Sequence, residues 1–350
     1  MKVDSALPLG KVDPGLRSVP KLDLATVGEA ARQLEVLGFD GMVSGETKTD
    51  PFIPLALAAT TTTRLSLTTA VAIAFPRSPM VMALSAWDLQ TLSKGRFTLG
   101  LGTQVKGHNE RRYSVPWAPP MPRLREYIRA VRAIWDCWQN ATPLDVRGTY
   151  YNFSLMVPLF NPGPIDHPDI PIHIAAVNTG MCHLAGETCG GLRPHPITTQ
   201  RYIEDVMLPA VREGARKAGR EIKAFDVVVS PLIAAAATTA ELEGRIKDVR
   251  ARIAFYGSTR TYHPVFELHG WGAMAQKLHE LSVAQRWDEM PGHITDEILE
   301  TIAIVGTFDT LADKIKRRYG GFSTRIEFGL PVRGADDYET LRRVVQEIQR

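Results

Sequence analysis

The chain has 350 residues, 44% of them hydrophobic and 23% charged, with a formal net charge of +3. That is the composition of a folded globular protein with room for one large barrel or two ordinary domains, not of a disordered or membrane-embedded one. So small a charge over this length gives no case for a nucleic-acid partner, and no apolar run reaches the roughly 18 residues that would cross a bilayer. The three cysteines, Cys137, Cys182 and Cys189, form no CxxC pair and suit a reducing compartment. With no long apolar stretch after Met1, a cytoplasmic protein is expected.

In chain order, short apolar runs alternate with amphipathic stretches. Val3–Leu7 is the first expected strand. Asp23–Leu37 sets Leu24, Val27, Ala30, Ala31, Leu34 and Leu37 on one helical face, with Gly38 as its stop. Gly41–Ser44 reads as strand two and Pro54–Thr63 as the helix behind it. Leu65–Ile73, apolar almost throughout, reads as a third strand covered on both faces. Met80–Ser93 is the next helix, and Phe97–Leu101 is strand four, running into Gly102. Gly107–Pro122 is polar, proline-rich and aperiodic, so it reads as a loop over one barrel mouth. Arg123–Trp138 is helical, and Thr142–Pro171 reads as an insertion. Ile172–Ala176 is strand five, Met181–Glu187 a short helix and Gly191–His195 strand six. Tyr202–Lys217 is a helix ended by Gly219. Phe225–Ala235 is strand seven, Glu241–Phe255 the helix behind it and Tyr256–Thr295 a second insertion. Leu311–Tyr319 and Arg325–Phe328 supply the last helix and strand, and Tyr338–Ile348 closes the chain.

Eight strands alternating with helices point to a (β/α)8 TIM barrel, an α/β fold with insertions at about 103–170 and 256–295 on its C-terminal mouth. The whole chain, 1–350, is expected to be a single domain. A doubly wound sheet would instead carry a phosphate fingerprint after strand one, and Leu9-Gly10-Lys11-Val12-Asp13 is not one.

Barrel active sites lie at the C-terminal ends of strands, so those positions are the ones to inspect. Strand five runs through Ala176, Val177, Asn178 and Thr179 to Gly180 immediately before a helix. Backbone N–H groups and the helix dipole could there receive an anion, although an ordinary tight turn reads the same way. Glu46, after strand two, is the carboxylate best placed to exchange a proton, or else it braces its loop. His108 and His195 sit in strand-end loops as candidate catalytic or solvated groups. The scattered histidines give no metal-binding spacing, and no Gly-x-Ser-x-Gly elbow is present.

Several of these strings resemble those of the luciferase-like oxidoreductases. They are Gly38-Phe39-Asp40-Gly41 with Glu46 and Asp50-Pro51-Phe52, then Thr69 to Pro79, Leu92 to Gly102, and Pro171 to Ala176 with Ala185-Gly186-Glu187. Val305-Gly306-Thr307 and Ala312-Asp313-Lys314 continue the match in the same order. Ala254 to Thr259 with His269-Gly270-Trp271 resembles an actinobacterial subgroup described as F420-dependent oxidoreductases.

The resemblance implies hydride transfer between reduced coenzyme F420, a deazaflavin, and an organic small-molecule substrate, with Glu46 and His108 as catalytic candidates. It implies a non-proline cis peptide at the end of strand three, matched here to Ala72–Ile73, behind the cofactor ring. Gly102, Thr103 and Gln104 would line the ring's polar edge. Ala176, Val177, Asn178 and Thr179 would hold the phosphate, with His195 beside them. A homodimer through the early helices is also implied. An FMN-dependent monooxygenase on the same barrel, or a non-catalytic flavin or deazaflavin carrier, are the alternative readings. Two departures stand out: Thr47 replaces a histidine that many deazaflavin relatives carry, and Gly190 replaces an aspartate of the phosphate unit.

Overall fold

A computed structural model describes residues 1–8, 20–332 and 334–350; the Leu9–Asp13 string discussed above lies outside them. Eleven short strands are present among these residues: β1 Lys2–Ala6, β2 Gly41–Ser44, β3 Ser66–Thr69, β4 Ala72–Ile73, β5 Phe97–Gly102 and β6 Ile172–Ala176. They continue with β7 Gly191–Pro194, β8 Asp226–Val229, β9 Ile233–Ala236, β10 Ile304–Thr307 and β11 Arg325–Glu327. The order β3-β2-β1-β11-β8-β7-β6-β5 is closed by pairing of β3 with β5, and every pair is parallel. This is the expected eight-stranded barrel, with β4 a short continuation of β3 beyond a break.

Helices cover the outer face. Helix Val27–Leu37 buries Val27, Ala31, Leu34 and Leu37 against the sheet and ends at Gly38, whose φ of +89° makes the left-handed cap. The Ser93-Lys94-Gly95-Arg96 string has a purely structural reason. Lys94 and Gly95 turn with positive φ, which brings Arg96 under the barrel. Its guanidinium donates to the carbonyls of Ala59, Thr62 and Leu65, tying the end of helix Phe52–Thr61 to the start of β3. Trp87, Trp135 and Trp138 pack together between helices Pro79–Leu92 and Pro120–Asn140. Among the described residues, no helix is long and apolar enough to cross a membrane.

Three expectations are corrected. Strand three is not continuous: it breaks at residues 70–71. Strand seven is two strands, because Pro231 lies between β8 and β9 and cannot donate to a ladder. Beyond it β9 leaves the barrel and pairs with β10, a strand the apolar pattern did not separate from its neighbours. The stretch Gly107–Pro122 is not all loop, since Lys106–Arg111 forms a short helix and Pro120 already begins the next one.

Candidate active site

The C-terminal mouth is built around the break in strand three. Among the described residues the only non-proline cis peptide is Ala70–Val71, not Ala72–Ile73. Ala72 and Ile73 already pair with Leu101 and Gly102 of β5, which requires ladder-competent backbone, so the irregularity falls two residues earlier. The loop after β2 clamps the break from the side. Ala70 N donates to Ser44 O at 2.7 Å, and Glu46 N donates to Val71 O at 3.2 Å. Glu46 Oε2 accepts from Ile73 N at 2.8 Å and from Arg77 Nη1 at 2.6 Å, while Arg77 Nη2 donates to Asp50 Oδ2 at 2.7 Å. Burial works against the Arg77 charge, but the bonds to Glu46 and Asp50 outweigh it and hold the guanidinium above its ordinary value. The break places Val71 over Gly102: a Cβ on Gly102 would fall 2.5 Å from Val71 Cγ2.

The loop after β5 forms the adjoining wall. Thr103 and Gln104 are half-buried, and Gln104 adopts a φ of +58° with its Oε1 accepting from Val105 N at 2.9 Å. A residue overlooked in the sequence, Asn109, fixes this shape. It is fully buried and its Nδ2 donates to Thr103 O at 2.9 Å and Val105 O at 3.2 Å. His108 is exposed and makes no hydrogen bond to Glu46. The same loop instead brings Tyr113 towards that carboxylate, while Arg112 donates to Thr47 O at 2.8 Å. The buried Tyr113 hydroxyl has no hydrogen-bond partner among the described residues, and burial together with the Glu46 charge raises it above the ordinary phenol value.

Across the mouth, Ala176 ends β6 and helix Thr179–Thr188 follows. Met181 N and Cys182 N reach back to Asn178 O at 3.2 and 3.3 Å. The N–H groups of Thr179 and Gly180 have no acceptor among the described residues, and the space beside Gly180 is open. Asn178 does not cap this helix with its side chain; its Nδ2 donates to Thr261 O at 3.1 Å, joining the turn to the second insertion. At the departure noted above, Gly190 N donates to Ile172 O at 2.8 Å and its carbonyl accepts from Asp226 N, so the turn joins the ladder without an aspartate.

His195 N donates to Ala176 O at 3.1 Å, and its Nδ1 accepts from Ile197 N at 3.2 Å, which leaves the proton on Nε2. The ring stacks on Tyr262 at 4.4 Å and meets the edge of Tyr256 at 4.6 Å. Burial pushes His195 down to about 4, so it is neutral near pH 7. Nothing in the periodicity of Tyr256–Thr295 had signalled that its first tyrosines would close over this histidine.

At the same mouth, a cavity of about 380 Å3 lies at the ends of β1, β8 and β11, walled by Ala6, Thr47, Leu232, Phe328 and Tyr256 among others. Glu327 reaches it from β11 and forms an ion pair with Arg193 of β7, whose guanidinium burial has pushed down to about 10. Among the described residues, no three His, Cys, Asp or Glu side chains are grouped to hold a metal ion. The donor set fits a flat cofactor with an anionic tail. Val71 offers an apolar platform where the strand breaks, and the opposite helix end offers two bare N–H groups.

The luciferase-like monooxygenase family model matches residues 7–325, and the chain belongs to that family. An uncharacterized protein of Mycobacterium tuberculosis is 43% identical over 333 residues, covering 95% of this chain and 97% of that protein. The 5,10-methylenetetrahydromethanopterin reductase of Archaeoglobus fulgidus is 25% identical over 343 residues, covering 95% of this chain and 98% of that protein. Among solved structures, the coenzyme F420-dependent tetrahydromethanopterin reductase of Methanopyrus kandleri superposes with a TM-score of 0.75 at 21% identity. That superposition covers 97% of this chain and 99% of the other, and it speaks for the fold alone.

Proposed function

We propose that this protein is a coenzyme F420-dependent oxidoreductase acting on a small organic substrate. The observation that carries the reading is the pairing, across one mouth, of the Val71 platform with the bare N–H groups of Thr179 and Gly180. The 29% identity over 178 residues, half of this chain, to an F420-dependent glucose-6-phosphate dehydrogenase of Beutenbergia cavernae supports the deazaflavin. When bound, the cofactor supplies hydride chemistry; the protein supplies orientation, a water-poor wall and a proton. Glu46 holds the platform in place through Ile73 N and Arg77. Tyr113 keeps its phenolic proton beside that carboxylate and is the proton donor the geometry favours over the exposed His108. Gln104, Thr103 and Gly102 form the ring's polar edge, Ala176 to Thr179 receive the phosphate, and His195 offers its Nε2–H close by. The cavity at the same barrel mouth, at the ends of β1, β8 and β11, supports an enzyme over a bare carrier of the cofactor.

The family's description as monooxygenases supports FMN as the second reading. Titration of the purified protein with each cofactor, followed by fluorescence and calorimetry, separates the two. Micromolar or tighter F420 binding with negligible FMN binding is expected. The reverse preference, with oxygen consumption in the presence of reduced FMN, would replace hydride transfer by oxygenation.

A further inference from the structure

The chemistry of the cavity wall limits what can be presented to the cofactor. The cavity at the ends of β1, β8 and β11 is bounded mainly by apolar side chains, among them Leu232, Ile233, Phe328 and Leu330. Its one carboxylate among the described lining residues is Glu327, which sits on a barrel strand and is neutralised by Arg193 beneath it. Two further cations, Arg245 and Arg252, come from outside the barrel, on helix Thr239–Gly257. Seven residues apart, they occupy the same face about 10 Å from one another along the axis. Arg252 lies over the Tyr256 ring at 5.7 Å.

Arg245 is half-buried and makes no ion pair or hydrogen bond among the described residues, although Glu241 and Asp248 lie one turn away on the same helix. Those two acids border a second, outer cavity of about 360 Å3, and Arg245 stands between it and the inner one. A half-buried guanidinium facing an apolar chamber without a counter-ion is a binding group for an anion, and its planar fork suits a carboxylate.

We propose that the substrate is an apolar-bodied carboxylic acid, bound with its carboxylate on Arg245 and its reacting end towards Glu327 and the cofactor. The inference rests on the functional reading above for the position of the reacting end.

The test uses 4-phenylbutyrate and its uncharged analogue 4-phenylbutyramide, titrated by calorimetry into the apoprotein and the F420-loaded protein. The acid is expected to bind at least tenfold more tightly than the amide. R245Q should remove that difference, and R245K should restore most of it. F420 affinity should stay within twofold in both variants, with thermal melting confirming that they fold. Equal binding of acid and amide, no binding of either, or a preference that survives R245Q would each overturn the proposal. So would a tenfold loss of F420 affinity in R245Q, which would assign the arginine to the acidic tail of the cofactor. If the wild-type protein does not bind F420, the cofactor reading fails while the acid–amide comparison in the apoprotein still decides this one.

Discussion

At Gly102 the backbone of β5 passes beneath Val71 with no room for a methyl group, since a Cβ would fall 2.5 Å from Val71 Cγ2. Gly102→Ala must push the platform away from its place, and F420 affinity is expected to fall by roughly tenfold or more, equivalent to at least about 1.4 kcal/mol. Fluorescence titration checks this beside a circular dichroism spectrum that should be unchanged; an affinity within twofold of wild type would show that the ring does not rest there. The charge state of His195 makes a second prediction. Its folded-state value, pushed down to about 4 by burial, lies below the ordinary 6.5, so the unfolded chain binds the proton first. The stability this confers is fully present above about pH 6.5 and is lost as the pH falls towards 4, by up to about 3 kcal/mol. His173, lowered to about 3 chiefly by burial, adds to the loss over the same window. Urea melts at pH 5.0 and 7.5 should show the drop, and His195→Phe should shrink it; an unchanged drop would mean that His195 titrates normally. Residues of this kind were only partly legible beforehand. Glu46 stood out as the acid after strand two, but its bond to Ile73 N depends on a strand break that hydrophobic patterning does not register. Asn109 and Tyr113 lay in a stretch whose polarity concealed a six-residue helix.

Elements were most legible where both faces are covered and turn residues bound the run. Gly41–Ser44 and Ile172–Ala176 have the bounds their apolar runs implied, because a buried parallel strand is continuously apolar between sharp polar ends. The break at 70–71 and the departure of β9 were illegible for the opposite reason. In both, an apolar run continues while the backbone changes partner, and side-chain polarity carries no record of that exchange. Helices Phe52–Thr61 and Pro79–Leu92 show another limit. They are apolar nearly all round, and the barrel covers only one side. Ile53, Leu57, Val81 and Leu84 therefore remain exposed on neighbouring helices. A second copy of the chain covering these faces is the arrangement that the family resemblance implies. Sedimentation at micromolar concentration is expected to give a dimer, and the double substitution L57E and V81E a folded monomer. A wild-type monomer at 100 μM would rule this interface out.

The whole molecule closes on itself through charges buried within the barrel. Asp4 of β1 and Arg325 of β11 join the first and last strands of the chain. Nε donates to Oδ2 at 2.8 Å and Nη2 to Oδ1 at 2.6 Å, both side chains being almost wholly buried. The neighbouring β2 makes room for the pair at Gly41, where a Cβ would lie 2.5 Å from Asp4 Oδ1. Asp4 lies in register with both Gly41 and Glu327, so one layer of the barrel is set by a single fork of hydrogen bonds. Burying two charges gains little over an apolar pair of the same volume, whereas removing one partner strands the other in a poorly solvated interior. Asp4→Ala is accordingly expected to cost about 3–5 kcal/mol, because among the described residues the Arg325 guanidinium would keep only its bond to Ser66. The double variant D4A/R325M should recover a large part of that loss, since the stranded charge is gone and the methionine still fills the space. Equilibrium urea unfolding of the wild type, both single variants and the double variant measures the coupling directly. A double variant no more stable than D4A would mean that β1 and β11 are held by their backbone ladder and apolar packing, with the ion pair contributing no specific closure.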